Sequence, residues 1–163
     1  MTGHSPALRA LSVEVGLVGA HRGSLHPWFL PTLLTGMTVG VLLGHRFHDP
    51  VDAGWGMVAS LLLWQPLVEE ALFRGVLQGL LLQTRWGVST RLGLSAANGV
   101  AALAFALAHL VHQPPLWALS TLIPGLCFGW FRDRSGSLWP PLLLHAAFNA
   151  AFFWQLIPTL LAA

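Results

Sequence analysis

The chain has 163 residues, 55% of them hydrophobic and only 9% charged, too few charges to cover a water-facing surface, for which soluble domains use about 25%. Its net charge of +2 is a small arginine excess with no lysine and no arginine cluster interleaved with aromatics, which excludes a nucleic-acid grip. A single cysteine, Cys127 in the run Leu126-Cys127-Phe128, excludes an intrachain disulfide and reads as a small buried hydrophobe.

The N-terminal region, 1–27, holds an apolar stretch over about 7–20 that is interrupted by Arg9 and Glu14 and preceded by no basic segment. It reads as an interfacial amphipathic segment rather than a signal peptide, with a sixth, poor membrane span as the alternative. A spanning helix needs about 20 mostly apolar residues. Five segments are expected to meet that need, over 28–45, 54–83, 92–112, 116–131 and 138–161. The breaks have chemical causes: Asp49-Pro50, the polar turn 83–91 with Gly87, Gln113-Pro114-Pro115, and the polar run 132–137. Trp28, Trp55, Trp86, Trp117, Trp130 and Trp139 fall near the ends, as an aromatic belt would. No internal repeat is present.

The expected fold is therefore all-α, a polytopic transmembrane bundle of about five helices in one domain over 28–163, with the lipid bilayer as its partner and no role for nucleic acid. With five spans, Arg9, Arg22, Arg85, Arg91, Arg132 and Arg134 lie on one side and Arg46 on the other. The excess of arginine marks the cytoplasmic side, which places the N-terminus in the cytoplasm. Small residues crowd the third segment (Ala101, Ala102, Ala104, Ala106, Ala108) and the fifth (Ala146, Ala147, Ala150, Ala151), and Gly75 and Gly79 form a small-xxx-small pair. Such residues allow close helix approach in lipid.

Charges inside the spans are expected only at Glu69, Glu70 and Arg74. A mid-bilayer charge costs on the order of 2.5–3.5 kcal/mol even on the lenient insertion scale. Glu70 and Arg74, at i,i+4, share a helix face and can pair. Glu69 is turned about 100° from that face, and apolar surroundings suit its carboxylate to activating water. The third segment adds Phe105-x-x-x-His109, and the fifth adds His145-x-x-x-Asn149, again on one face. A water between Glu69 and His109 could be deprotonated and aimed, while His145 and Asn149 hold the oxyanion of a tetrahedral intermediate. Those parts suffice for peptide hydrolysis without a covalent intermediate. Cys127 and the scattered Ser and Thr residues have no paired base in sequence.

Glu69-Glu70-x-x-x-Arg74, Phe105-x-x-x-His109 and His145-x-x-x-Asn149 occur in the order of the three motifs of the CAAX-protease and bacteriocin-processing family, which the chain resembles over about 55–154. Phe73-Arg74-Gly75 and Ser137-Leu138-Trp139-Pro140-Pro141 add to the likeness. The resemblance implies a glutamate-dependent intramembrane endopeptidase, acting on a membrane-anchored protein or peptide without a cofactor. Glu69 and His109 would activate water. His145 and Asn149 would stabilise the oxyanion or position the substrate. Glu70 with Arg74 would support the site, and Phe105 would pack beneath His109. Little precedes the first motif, which counts against prenylated CAAX substrates, and the resemblance to compact bacterial members implies C-terminal sorting tails of exported proteins as the expected substrates. The expected location is the bacterial cytoplasmic membrane. Two rival readings remain: a metal-dependent hydrolase with Glu69, His109 and His145 as ligands, though no HExxH is present, and a non-enzymatic immunity, scaffold or transport protein.

Overall fold

The computed structural model describes residues 26–47 and 54–156. The elements are α1 (Phe29–Phe47), α2 (Trp55–Ala59), a π turn termed π1 (Ser60–Trp64), α3 (Gln65–Glu70), a second π turn π2 (Ala71–Leu77), α4 (Gln78–Leu81), strands β1 (Thr90–Arg91) and β2 (Leu94–Ser95), α5 (Ala96–His109), α6 (Pro115–Ser120), α7 (Leu122–Ser135) and α8 (Trp139–Phe152). Among the described residues each expected apolar segment is largely helical, and one short antiparallel hairpin is added at the start of the third. The proposed N-terminal segment lies outside the described residues, apart from its last two.

None of the described helices is long and apolar enough to cross a membrane. The first expected span is kept whole as the 19 residues of α1, whereas the third and fourth are shortened or divided for identifiable reasons. The third loses its start to the hairpin. Ser95 then caps α5 by accepting the Asn98 N–H at 2.9 Å. The remaining 14 residues rise about 21 Å, against a hydrocarbon core of about 30 Å. The fourth breaks at Thr121, whose hydroxyl donates to the Ala118 carbonyl at 2.6 Å, into the six residues of α6 and the 14 of α7. In exchange, α7 continues through Ser135, where the sequence suggests a polar loop. It ends at Gly136, whose φ of 64° suits glycine and whose N–H reaches the Arg132 carbonyl at 3.0 Å. Arg132 and Asp133 are therefore helical rather than loop charges, and Arg132 is buried. The second segment widens into a π turn twice between Trp55 and Leu81. Such π turns are rare and recur at functional sites.

The described residues fall into two compact units, one within Glu69–Pro141, the other combining residues of 25–68 with those of 142–163. In the first, α5 turns Ala97, Asn98, Ala101, Ala102, Phe105 and Ala106 inward and leaves Val100, Leu103 and Leu107 exposed. The stretch π2–α4 buries Arg74 and Gln78, in line with Glu70 at the end of α3, while Leu72, Val76 and Leu80 face out. Residues four apart drift by about 40° per step on an α-helix. A π turn takes more residues per turn, which brings Glu70, Arg74 and Gln78 into line. Polar groups inside and aliphatic groups outside reverse the pattern of a water-soluble domain.

The second unit is built on glycine. Gly36, Gly40 and Gly44 of α1 lie every four residues against α8. The ring of Phe148 occupies the space a side chain at Gly36 would fill. A Cβ on Gly40 would come within 3.0 Å of the Ala151 Cβ, and one on Gly44 would overlap the Phe152 carbonyl. These glycines let the two helices approach at backbone distance, the packing that small-xxx-small stripes permit. The sequence pattern contained this stripe, but it stands out only once α8 is seen against it.

Candidate active site

Glu70 and Arg74 form the buried centre of the first unit. Arg74 Nη1 lies 3.3 Å from Glu70 Oε1, and the two side chains are 0% and 1% exposed. The i,i+4 pairing expected from sequence is thus present, across the junction where α3 becomes π2. The Arg74 Nη2 group donates to the Gly125 carbonyl of α7 at 3.0 Å. The guanidinium also lies over two aromatic rings, 4.4 Å from the centre of Phe105 and 5.5 Å from that of Phe128. A desolvated guanidinium over a ring face gains about 2 kcal/mol. One side chain therefore ties three helical stretches together: its own, α5 and α7.

Phe105 carries this arrangement to His109. Its ring meets Phe73 edge-on at 5.4 Å and the His109 imidazole at 4.5 Å with a 56° tilt. His109 Nδ1 is 2.9 Å from the Phe105 carbonyl. A carbonyl oxygen only accepts, so Nδ1 carries the proton and donates. The neutral ring then presents Nε2 as its lone-pair nitrogen, the form needed to accept a proton. The Phe105 ring thus contacts the imidazole it was expected to pack beneath, and its backbone carbonyl also selects the tautomer. His109 stands at the last position of α5 and is only partly covered. Glu69 is likewise half-buried, and its charge acts on the Arg74 guanidinium along with that of Glu70.

Beyond Arg74 the unit buries two side-chain amides absent from the sequence expectations, Gln78 of α4 and Asn98 of α5. Gln78 Nε2 donates to the Gly129 carbonyl at 2.9 Å and to Asp133 Oδ1 at 2.7 Å. Asn98 Nδ2 donates to the Leu126 carbonyl at 3.0 Å. Both amides are 0% exposed. Arg74 and Gln78, four residues apart, thus address the carbonyls of Gly125 and Gly129, also four apart, and Asp133 continues the row. The glycines make this possible. A Cβ on Gly129 would fall on Asn98 Oδ1, whereas one on Gly125 would meet its neighbours at an ordinary 3.4 Å. The four-residue spacing of Glu70, Arg74 and Gln78 was the available signal. Its meaning depended on a second helix placing carbonyls opposite.

His145 and Asn149 belong to the second unit, both on α8. His145 is buried, at 5% exposure, and Asn149 Nδ2 donates to the Leu61 carbonyl at 2.9 Å. That carbonyl lies within π1, so the pitch change and the Asn149 anchor coincide. An amide nitrogen has two hydrogens, and this bond uses one. Among the described residues no group of three His, Cys, Asp or Glu side chains is gathered so that it could hold a metal ion.

Residues 51–151 match the Rce1-like family, type II CAAX prenyl endopeptidase. The matched stretch contains all seven residues singled out from the sequence: Glu69, Glu70, Arg74, Phe105, His109, His145 and Asn149. No curated protein and no solved structure matches the chain.

Proposed function

The chain belongs to the Rce1-like family of type II CAAX prenyl endopeptidases, a family of membrane proteases, and from that membership we propose a glutamate-dependent intramembrane endopeptidase that cleaves a membrane-anchored protein or peptide. In this reading the Glu69 carboxylate takes a proton from water as the water oxygen bonds to the scissile carbonyl carbon. His109 Nε2 accepts a hydrogen bond from the same water and aims it. The oxyanion that forms is held by donors from His145 and from the Asn149 hydrogen not spent on Leu61. Collapse of the tetrahedral intermediate breaks the C–N bond, and the proton taken from water passes to the departing amine. Glu70 and Arg74 hold the helix that carries Glu69 without meeting substrate.

The observation that carries this reading is the chain of contacts from Glu70 through Arg74 and Phe105 to His109. It supports an imidazole held in its proton-accepting tautomer and linked through Phe105 to the Arg74 that pairs with Glu70. Placement in a bilayer is supported by the reversed pattern, in which Glu70, Arg74, Gln78 and Asn98 are buried while Leu72, Val76, Leu80, Val100, Leu103 and Leu107 are exposed. Exposed aliphatic surface on this scale calls for a non-aqueous neighbour. The arginine distribution favours a cytoplasmic N-terminus in a bacterial inner membrane, and C-terminal sorting tails of exported proteins are the substrate class proposed.

The test compares the termini of membrane proteins, by mass spectrometry, in cells carrying the wild type or Glu69→Gln. Intact precursors that accumulate only with the variant establish proteolysis and locate the cut. Identical termini, with the variant folded and abundant, remove the peptidase assignment for the proteins of those cells and favour a non-enzymatic role.

A further inference from the structure

The hairpin between α4 and α5 contains an anomaly that the catalytic reading does not use. β1 and β2 pair with Thr90 opposite Ser95 and Arg91 opposite Leu94, leaving a two-residue turn, Leu92-Gly93. Both turn residues have positive φ, 52° and 77°, the pattern of a type I′ turn. Glycine takes the second position without strain. The first is ordinarily asparagine, aspartate or glycine, and a leucine there is strained. Packing does not repay that strain, because Leu92 is 103% exposed. The base of the hairpin is firmly tied: Ala96 N–H reaches the Ser89 carbonyl at 2.9 Å, and Ala97 N–H reaches that of Gly87 at 3.1 Å. A rigid base thus holds one strained aliphatic side chain out from the unit.

Cations flank the hairpin. Arg85 and Arg91 are exposed on the same connection. Arg134 arrives from the end of α7, its guanidinium 3.7 Å from the centre of the Trp130 ring and its Nη1 donating to the Gly93 carbonyl at 3.4 Å. Among the described residues no carboxylate pairs with any of the three, and the nearby Asp133 already accepts from Gln78. Trp86, 55% exposed, adds an interfacial aromatic. An apolar tip amid unpaired arginines matches the boundary of an anionic bilayer, where acyl chains lie just beneath phosphate groups.

We infer that the Leu92 hairpin is a membrane-interface anchor, in which Leu92 enters the acyl boundary and Arg85, Arg91 and Arg134 bind the phosphates of anionic lipids. The inference rests on the intramembrane reading and adds to it a lipid class and a docking element. It also accounts for the strain at Leu92: the turn gives up stability to present an aliphatic group where glycine would be easier. Each arginine near an anionic surface contributes about a fivefold preference.

The test uses the full chain with Cys127→Ala and Leu92→Cys, so that an environment-sensitive dye sits only at 92. The protein is reconstituted in phosphatidylcholine alone or in an equimolar mixture with phosphatidylglycerol. The dye is expected to shift to the blue and be quenched by brominated acyl chains in the anionic mixture, and to return toward its aqueous signal when Arg85, Arg91 and Arg134 are changed to Gln. A companion variant, Leu92→Gly, is expected to unfold in detergent at the same or a higher temperature than wild type. A lower temperature would make Leu92 a structural residue and overturn the inference. So would equal quenching in both lipids, or an aqueous signal in both that only an added acidic polypeptide shifts. Carbonate washing separates the two readings. Protein that resists extraction but shows a water-exposed position 92 refutes the anchor alone, whereas protein extracted from both bilayers refutes the intramembrane reading and the anchor with it.

Discussion

The two units solve the same problem, fastening one helix to another, by opposite means. In the first, polar side chains of π2 and α4 reach across to backbone carbonyls of α7: Arg74 to Gly125 and Gln78 to Gly129. In the second, α1 and α8 meet through bare backbone at Gly36, Gly40 and Gly44, with Phe148 and Ala151 filling the gaps. Glycine is the enabling residue in both, for different reasons. In the polar joint its absent side chain opens a carbonyl to a long donor. In the apolar joint it lets whole helices close on each other. Hydrogen bonds are directional, so the first joint fixes the angle at which Glu70, and with it the neighbouring Glu69, is presented. The second joint sets distance and seats α8, which carries His145 and Asn149.

The contrast can be broken most severely at Arg74. Arg74→Ala leaves Glu70 buried beside apolar groups and is expected to cost about 3–5 kcal/mol, read as a large fall in thermal unfolding temperature in detergent. Wild-type expression and melting of that variant would show that the polar joint is not what holds the unit together. Next come the glycines. Gly44→Ala and Gly129→Ala each place a Cβ on an atom that cannot step aside, the Phe152 carbonyl or the Asn98 amide, and each is expected to cost about 1–3 kcal/mol. Gly125→Ala is the control within the same row, with contacts of 3.4 Å and a change expected below about 1 kcal/mol. Equal melting temperatures for the Gly125 and Gly129 variants would refute the ladder described for α7.

A finer test separates hydrogen bonding from shape. Gln78→Met keeps the length of the side chain and removes its donors to Gly129 and Asp133. The expected loss is about 1–2 kcal/mol, smaller than that of Arg74→Ala because no fully buried charge is left without its partner. Phe105→Leu preserves most of the apolar volume but removes the ring between Arg74 and His109, an expected loss of about 1–2 kcal/mol in cation–π and aromatic contact. The backbone carbonyl that selects the His109 tautomer survives, but the ring packed against the imidazole is lost, so the loss of peptidase activity should exceed what the melting temperature accounts for. Parallel losses in both would make Phe105 a packing residue only.

Much of this architecture was legible in the chain itself. The apolar segments, the breaks at Pro114-Pro115 and Gly87, the Glu70–Arg74 pairing and the Phe105–His109 face all follow from local spacing, because an α-helix brings i and i+4 together whatever surrounds it. The three motifs carried the family likeness, which the match over 51–151 now supports independently. Element lengths were less legible. Ser95 could be read as a cap only once the hairpin before it was known, and Arg132-Asp133-Arg134 looked like loop because charges usually are. In the fold, burial of Arg132 and the bond from Gln78 to Asp133 make those residues part of the helix.

By itself, then, the sequence determined which stretches are helical, which side chains share a helix face and which chemistry those faces can support, since all three depend on contacts within a few residues. Only the tertiary structure decided that Gln78 and Asn98 would be buried donors, that Gly125 and Gly129 would receive them, that Gly36, Gly40 and Gly44 would form a groove, and that Leu92 would stand strained and exposed. Each of these depends on what another segment places opposite. A glycine means something different under a ring, under an amide or at the tip of a turn, and its own neighbours in the chain do not say which.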